Sequence, residues 1–96
     1  MSTRTSQVES AIARVLGSAI LELSDPRLPM IVSVERVRIS PDLLHATVFV
    51  SCIGEITPTL EALNHAKGFL QRHIANEIHM KRTPLLQFED GTNIVF

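Results

Sequence analysis

Residues 57–80 read TPTLEALNHAKGFLQRHIANEIHM, and the parsing of this stretch decides the fold. Pro58 early in a first turn, with Glu61 soon after, is a helix-start signal. Leu60, Leu63, Ala66, Leu70, Ile74 and Ile78 then recur at helical spacing, a stripe that runs as far as Met80. Gln71, Arg72, Asn76 and His79 project to the opposite side, joined by Arg82 if the helix reaches it. Glu77 and Lys81 stand at i, i+4 in the favourable order, a minor contribution. Gly68 interrupts the pattern. It costs a helix about 1 kcal/mol relative to Ala, so the stretch is either one unbroken helix or two joined by a break. Pro84 ends it.

Upstream, Val8, Ala11, Ile12, Val15, Leu16, Ala19, Ile20 and Leu23 form a second helical stripe, closed by Pro26. Residues 31–39 and 46–52 are β-branched and alternate at period two, and Ser40-Pro41-Asp42-Leu43 between them is turn chemistry. They predict an antiparallel hairpin. Ile31, Val37 and Ile39 share one parity while Val32 and Val34 take the other. Either a bulge near Glu35-Arg36 switches the phase, or both faces are partly covered. Leu85-Leu86-Gln87-Phe88 predicts a short last strand before an Asp90-Gly91 turn. The order is helix, strand, strand, helix, break, helix, strand: an α+β fold.

The chain has 96 residues, 45% hydrophobic and 20% charged, which predicts one globular domain over 1–96. With no Trp or Tyr and four Phe, its core is aliphatic. The single cysteine, Cys52, forbids an internal disulfide framework and suits a reducing cytosol. The first residues carry no apolar run and no segment suits a bilayer, so the expected location is cytoplasmic, with no membrane partner. Net charge is −1, yet Lys67, Arg72, Lys81 and Arg82 face only Glu77 between Ala66 and Arg82. The chain is polarised: either it presents a basic face or this is an ordinary solvated helix.

Five stretches in order resemble the bacterial ribosome-binding factor A family. They are Asp25-Pro26-Arg27-Leu28, Ser40-Pro41-Asp42-Leu43, the run from His45 to Ser51, the run from Ala62 to Leu70, and the run from Arg82 to Phe88. Each is weak alone and five in order are strong; the resemblance as a whole spans about Val8 to Asp90. The resemblance implies a type II KH-like domain with a three-stranded sheet packed against helices. In that fold the usual Gly-x-x-Gly loop gives way to an Ala-x-Gly kink, here Ala66-Lys67-Gly68. It further implies association with the small (30S) ribosomal subunit and its 16S rRNA during late maturation, with a role in cold adaptation. Three features depart from the family: Pro29-Met30 where a glycine is usual, a short loop from Gly54 to Pro58, and an end at Phe96 without a charged tail.

A KH-type site brings the backbone of a helix junction against nucleic acid while cations neutralise phosphates. Gly68 supplies the missing Cβ, and the following helix N-terminus offers N–H groups. The alternative for Gly68 is relief of packing where the helix crosses the sheet, which the residues alone favour and the family resemblance ranks second. The candidate RNA-binding residues are Ala66, Lys67, Gly68, Arg72, Asn76, His79, Lys81 and Arg82. Arg36 and Arg38 share a strand face and either extend the basic surface or serve solubility. Arg27 is expected to tie its own turn together.

Metal binding is not expected. His65, His73 and His79 lack i, i+4 spacing, and His65 and His79 would lie ~21 Å apart along an ideal helix. Cys52 shares the parity of Ala46, Val48 and Val50 and is expected to be a buried small thiol. No phosphate loop, paired-carboxylate motif or nucleophile triad appears, so neither a cofactor nor catalysis is expected. Only Phe49 falls within the first two strands, which disfavours a base-stacking sheet. The expected protein is a monomeric, non-catalytic RNA-binding assembly factor that could also meet other maturation factors. The alternative is a protein-interaction module of the same fold, docking on ribosomal proteins or other maturation factors.

Overall fold

The first apolar stripe folds as α1, Thr3–Ile20, in a computed structural model that describes residues 3–92. Ile12 and Leu16 on that stripe are completely buried. Leu23 lies beyond the helix. Leu21, Glu22 and Leu23 donate to Ser18, Ala19 and Ile20 three residues back, tightening the last turn before Pro26. Arg27 ties the following turn as expected: its Nη2 lies 2.7 Å from Asp25 Oδ2, and its backbone N–H donates to Oδ1 at 2.9 Å.

The hairpin forms as β1, Val32–Ile39, and β2, His45–Cys52, paired antiparallel. Its register shifts between Val34 and Arg36, leaving Glu35 as the extra residue. This bulge resolves the parity conflict: Val32 and Val34 before it, and Val37 and Ile39 after it, all pack on the core. In the connecting turn Leu43 adopts φ 64°, a left-handed conformation that leucine disfavours. Ser40 and Asp42 hold the turn, the hydroxyl donating to Asp42 Oδ1 at 2.6 Å.

The chain then crosses over through α2, Ile56–His65, and α3, Lys67–Glu77, to β3, Leu85–Asp90. β3 lies parallel to β2, giving a sheet ordered β1-β2-β3. β3 outruns the expected strand by two residues because Asp90 still pairs with Val50. Gly91 then lies so close to β2 that a Cβ there would stand 3.0 Å from Phe49 Cβ.

Helices α1, α2 and α3 cover one face of the sheet. Ile12, Leu16, Leu63, Leu70 and Ile74 meet Val37, Ile39, Val48, Val50, Leu86 and Phe88 in one aliphatic core. Helix side chains also reach both outer edges of the sheet. Glu9 accepts from Ile39 N–H at 2.9 Å on the β1 side. Gln71 and Asn64 accept from Leu86 and Phe88 N–H at 3.1 and 3.4 Å on the β3 side. These contacts satisfy edge donors that would otherwise recruit another strand. They also correct the reading of Gln71 as a solvent-facing residue.

The long stripe resolves as two helices. Ala66, at φ −88° and ψ 9°, separates them, while Gly68 sits inside the first turn of α3. The second helix stops at Glu77, three residues short of Met80, and Ile78 is extended at φ −122°, ψ 125°. Ile78 and Met80 still pack on the core, but at the two-residue spacing of extended chain. His79, Lys81 and Arg82 therefore leave the helix, and Glu77 and Lys81 form no helical pair.

Candidate nucleic-acid interface

Hydrogen bonding within the chain makes the bend at Ala66. Its N–H donates to the carbonyls of Ala62 and Leu63 at 3.0 and 3.1 Å, and its own carbonyl accepts from Leu70 N–H at 3.1 Å. The residue thus closes α2 and opens α3 at once. No side chain caps either helix start. The junction's N–H groups turn back to Ala62, Leu63 and Asn64, so the expected row of bare amides is at least partly consumed by α2.

Gly68 is exposed, and a Cβ built on it meets nothing within 4 Å. Relief of packing is therefore not its role. Helical spacing aligns Gly68, Arg72 and Asn76 on one face of α3, and all three are exposed. Lys67 and Ala66 beside them are half-buried. This is a narrow surface whose backbone is open to close approach, with cations of α3 on and beside it.

His79, Lys81 and Arg82 gather elsewhere. They line a groove of about 280 Å³ beyond the end of α3, together with Arg4 from α1 and Asp42 from the hairpin turn. Arg4 was not among the residues that sequence singled out, because only the tertiary fold brings the start of the chain to residues 79–82. Asp42 is held below the usual carboxylate range by the Ser40 hydroxyl and the Leu44 N–H.

Arg36 and Arg38 project from the sheet face that the helices do not cover, so they do not join the α3 surface. The Arg38 guanidinium stands 5.9 Å from the Phe49 ring centroid, and Phe49 is only 9% exposed. That aromatic is thus covered, which agrees with the reading against a base-stacking sheet.

Cys52 is half-buried rather than buried, its Sγ 3.5 Å from Thr59 Oγ1 and 3.6 Å from the Glu55 carbonyl. His73 lies edge-on to Phe69 with ring centroids 4.7 Å apart and reaches Glu22 at 3.8 Å. These are packing roles. Among the described residues no group of three or more His, Cys, Asp and Glu could hold a metal ion, and no helix is long and apolar enough to cross a membrane.

Comparison with known proteins agrees with this architecture. Residues 4–94 match the family described as Ribosome-binding factor A. The Ribosome-binding factor A of Rubrobacter xylanophilus is 41% identical over 93 residues, covering 95% of this chain and 76% of the relative. That of Chloroflexus aggregans is 41% identical over 96 residues, with 95% and 75% covered. The crystal structure of ribosome-binding factor A from Thermus thermophilus superposes with a TM-score of 0.84 at 33% identity, over 91% of this chain and 96% of that one. A Thermus thermophilus homology model, fitted into a cryo-EM map of a complex of the 30S subunit with ribosome-binding factor A, gives 0.70 at 31% identity, covering 94% and 93%. Sequence and KH-like architecture lead to the same place: the chain belongs to the ribosome-binding factor A family.

Proposed function

We propose that this chain is a non-catalytic assembly factor that docks on the small ribosomal subunit in the cytoplasm. It assists late maturation and processing of 16S rRNA, in the cold as well, acting as one domain over 1–96 and as a monomer. The observation that carries this reading is the exposed face of Gly68, Arg72 and Asn76 beside Lys67. A glycine with open space above it lets RNA backbone approach α3, and the cations neutralise phosphates. Support also comes from family membership and from the Thermus protein's fit into a map of a 30S complex. With Phe49 covered, recognition runs through backbone and shape rather than stacked bases.

Sedimentation of the tagged protein with cell lysate tests the reading. Co-migration with free small subunits is expected, and co-migration chiefly with whole translating ribosomes would overturn it. Lys67→Glu combined with Arg72→Glu should weaken association about tenfold at low salt and flatten its salt dependence.

A second reading, docking on a ribosomal protein or maturation factor without RNA contact, has one observation in its favour. Leu21, Met30 and Ile53 are 78%, 95% and 73% exposed. Leu21 and Met30 line one groove, and Ile53 is hydrogen-bonded to Ile31 next to Met30. Competition by naked rRNA fragments separates the readings, since only the first expects it.

A further inference from the structure

We propose that the groove beyond α3 holds a single unpaired nucleotide of RNA, phosphate on its cationic rim and base against its apolar floor. The inference rests on the rRNA-binding reading above and gives it a second, separate contact. Its rim is Arg4, His79, Lys81 and Arg82, all exposed. The floor is Val8, Leu43 and Met80, all packed on the core, with Leu44 beside them. A rim of cations alone would suit any phosphate. The apolar floor adds a demand for a flat, weakly hydrated group, which an unstacked base satisfies and a paired strand cannot.

Size agrees. About 280 Å³ falls just below the ~300–1,000 Å³ typical of drug-sized sites, a space for one nucleoside at most and too small for a duplex. The site is also held in shape. Leu43 is kept at φ 64° by its N–H bond to the Ser40 carbonyl at 2.9 Å. Leu43 packs on the core and lines the groove together with Leu44. Asp42, the one carboxylate among the described residues of the lining, is fixed by Ser40 and Leu44 through Oδ1. A fixed carboxylate on a cationic rim accepts from an exocyclic amino group, which cytosine carries and uracil lacks. The groove therefore discriminates between these pyrimidines.

The test uses the isotopically labelled full chain, titrated at low salt with hexacytidylate, hexauridylate, a blunt RNA duplex and free CMP, and read by amide chemical shifts. Sedimentation with purified small subunits runs in parallel. Hexacytidylate should shift Leu43, Leu44, His79, Lys81 and Arg82, and bind about tenfold more tightly than hexauridylate. Lys81→Glu should weaken it about tenfold and lower its salt slope by about 0.7. Leu44→Ser should reduce affinity and leave the salt slope unchanged. Both residues are exposed, so the variants should keep the wild-type amide spectrum elsewhere. Shifts confined to α3, equal shifts with the duplex, or CMP binding as tightly as the oligonucleotide would each overturn the proposal. If subunit association persists in that case, only the groove falls; if association is also absent, the rRNA reading falls with it.

Discussion

The bend at Ala66 and the groove beyond Glu77 lie at opposite ends of α3, and they are built in different ways. The bend comes from a single stretch of chain: one residue leaves helical geometry, and 3.6-residue spacing then places Gly68, Arg72 and Asn76 in a row. The groove draws on α1, the hairpin turn and the segment after α3, each some 40 residues along the chain from the one before. A locally built surface offers exposed backbone and cations but no enclosure. An assembled one offers enclosure, because only separate segments can wall a space. The two ends thus suit different parts of one polymer, the sugar–phosphate chain and an unpaired base.

The comparison can be broken most severely at the residue that holds both ends in place. Leu70, completely buried on the core face of α3, should cost about 2–5 kcal/mol when changed to Ala, read by urea unfolding. Both surfaces should weaken together. Gln71→Ala probes the same helix without touching either surface. It leaves the Leu86 N–H at a part-buried strand edge without its acceptor, at about 1–2 kcal/mol. RNA binding measured on the folded fraction should not change, and a loss there would move Gln71 from the fold to the interface.

Gly68→Ala sharpens the contrast further, because its two effects have opposite signs. Nothing crowds the added methyl, so the folded state should gain up to about 1 kcal/mol from helix propensity. Small-subunit association should weaken while oligonucleotide binding in the groove is unchanged. Equal or better subunit association would show that the RNA backbone does not approach there.

The smallest effect lies away from both ends, at the Asp25–Arg27 turn. Arg27 side-chain and backbone donors hold Asp25 at about 2, below its ordinary 3.8. A depressed carboxylate contributes stability above its unfolded value and loses it as pH falls through the folded one. The contribution should fade between roughly pH 4 and pH 2, and Arg27→Gln should return the Asp25 titration toward its ordinary range. Neither surface should respond.

The same division separates what sequence could show. The α1 stripe, the hairpin and the parity switch at Glu35 were readable because each depends on neighbours a few residues away. The kink was localised to Ala66-Lys67-Gly68 only through family resemblance, since periodicity accepted an unbroken helix. The end of α3 was misplaced because Ile78 continues both a helical and an extended pattern. Packing chose the extended one, which lets Ile78 and Met80 face the core while the chain turns toward Leu85. Gln71 looked like a surface amide because the strand N–H it accepts from, that of Leu86, is 15 residues away; the like bond from Phe88 N–H to Asn64, over 24 residues, has no local signal either.

By itself the sequence determined the order of helices and strands apart from the break, the apolar stripes, the parity switch near Glu35 and the cationic bias after Ala66, all consequences of backbone period and side-chain polarity. The tertiary structure alone decided which of those cations stand together, where α3 ends and which side chains reach the sheet edges. Those outcomes depend on segments remote in the chain competing for the same core and the same hydrogen-bond partners, and no local pattern encodes which of them prevails.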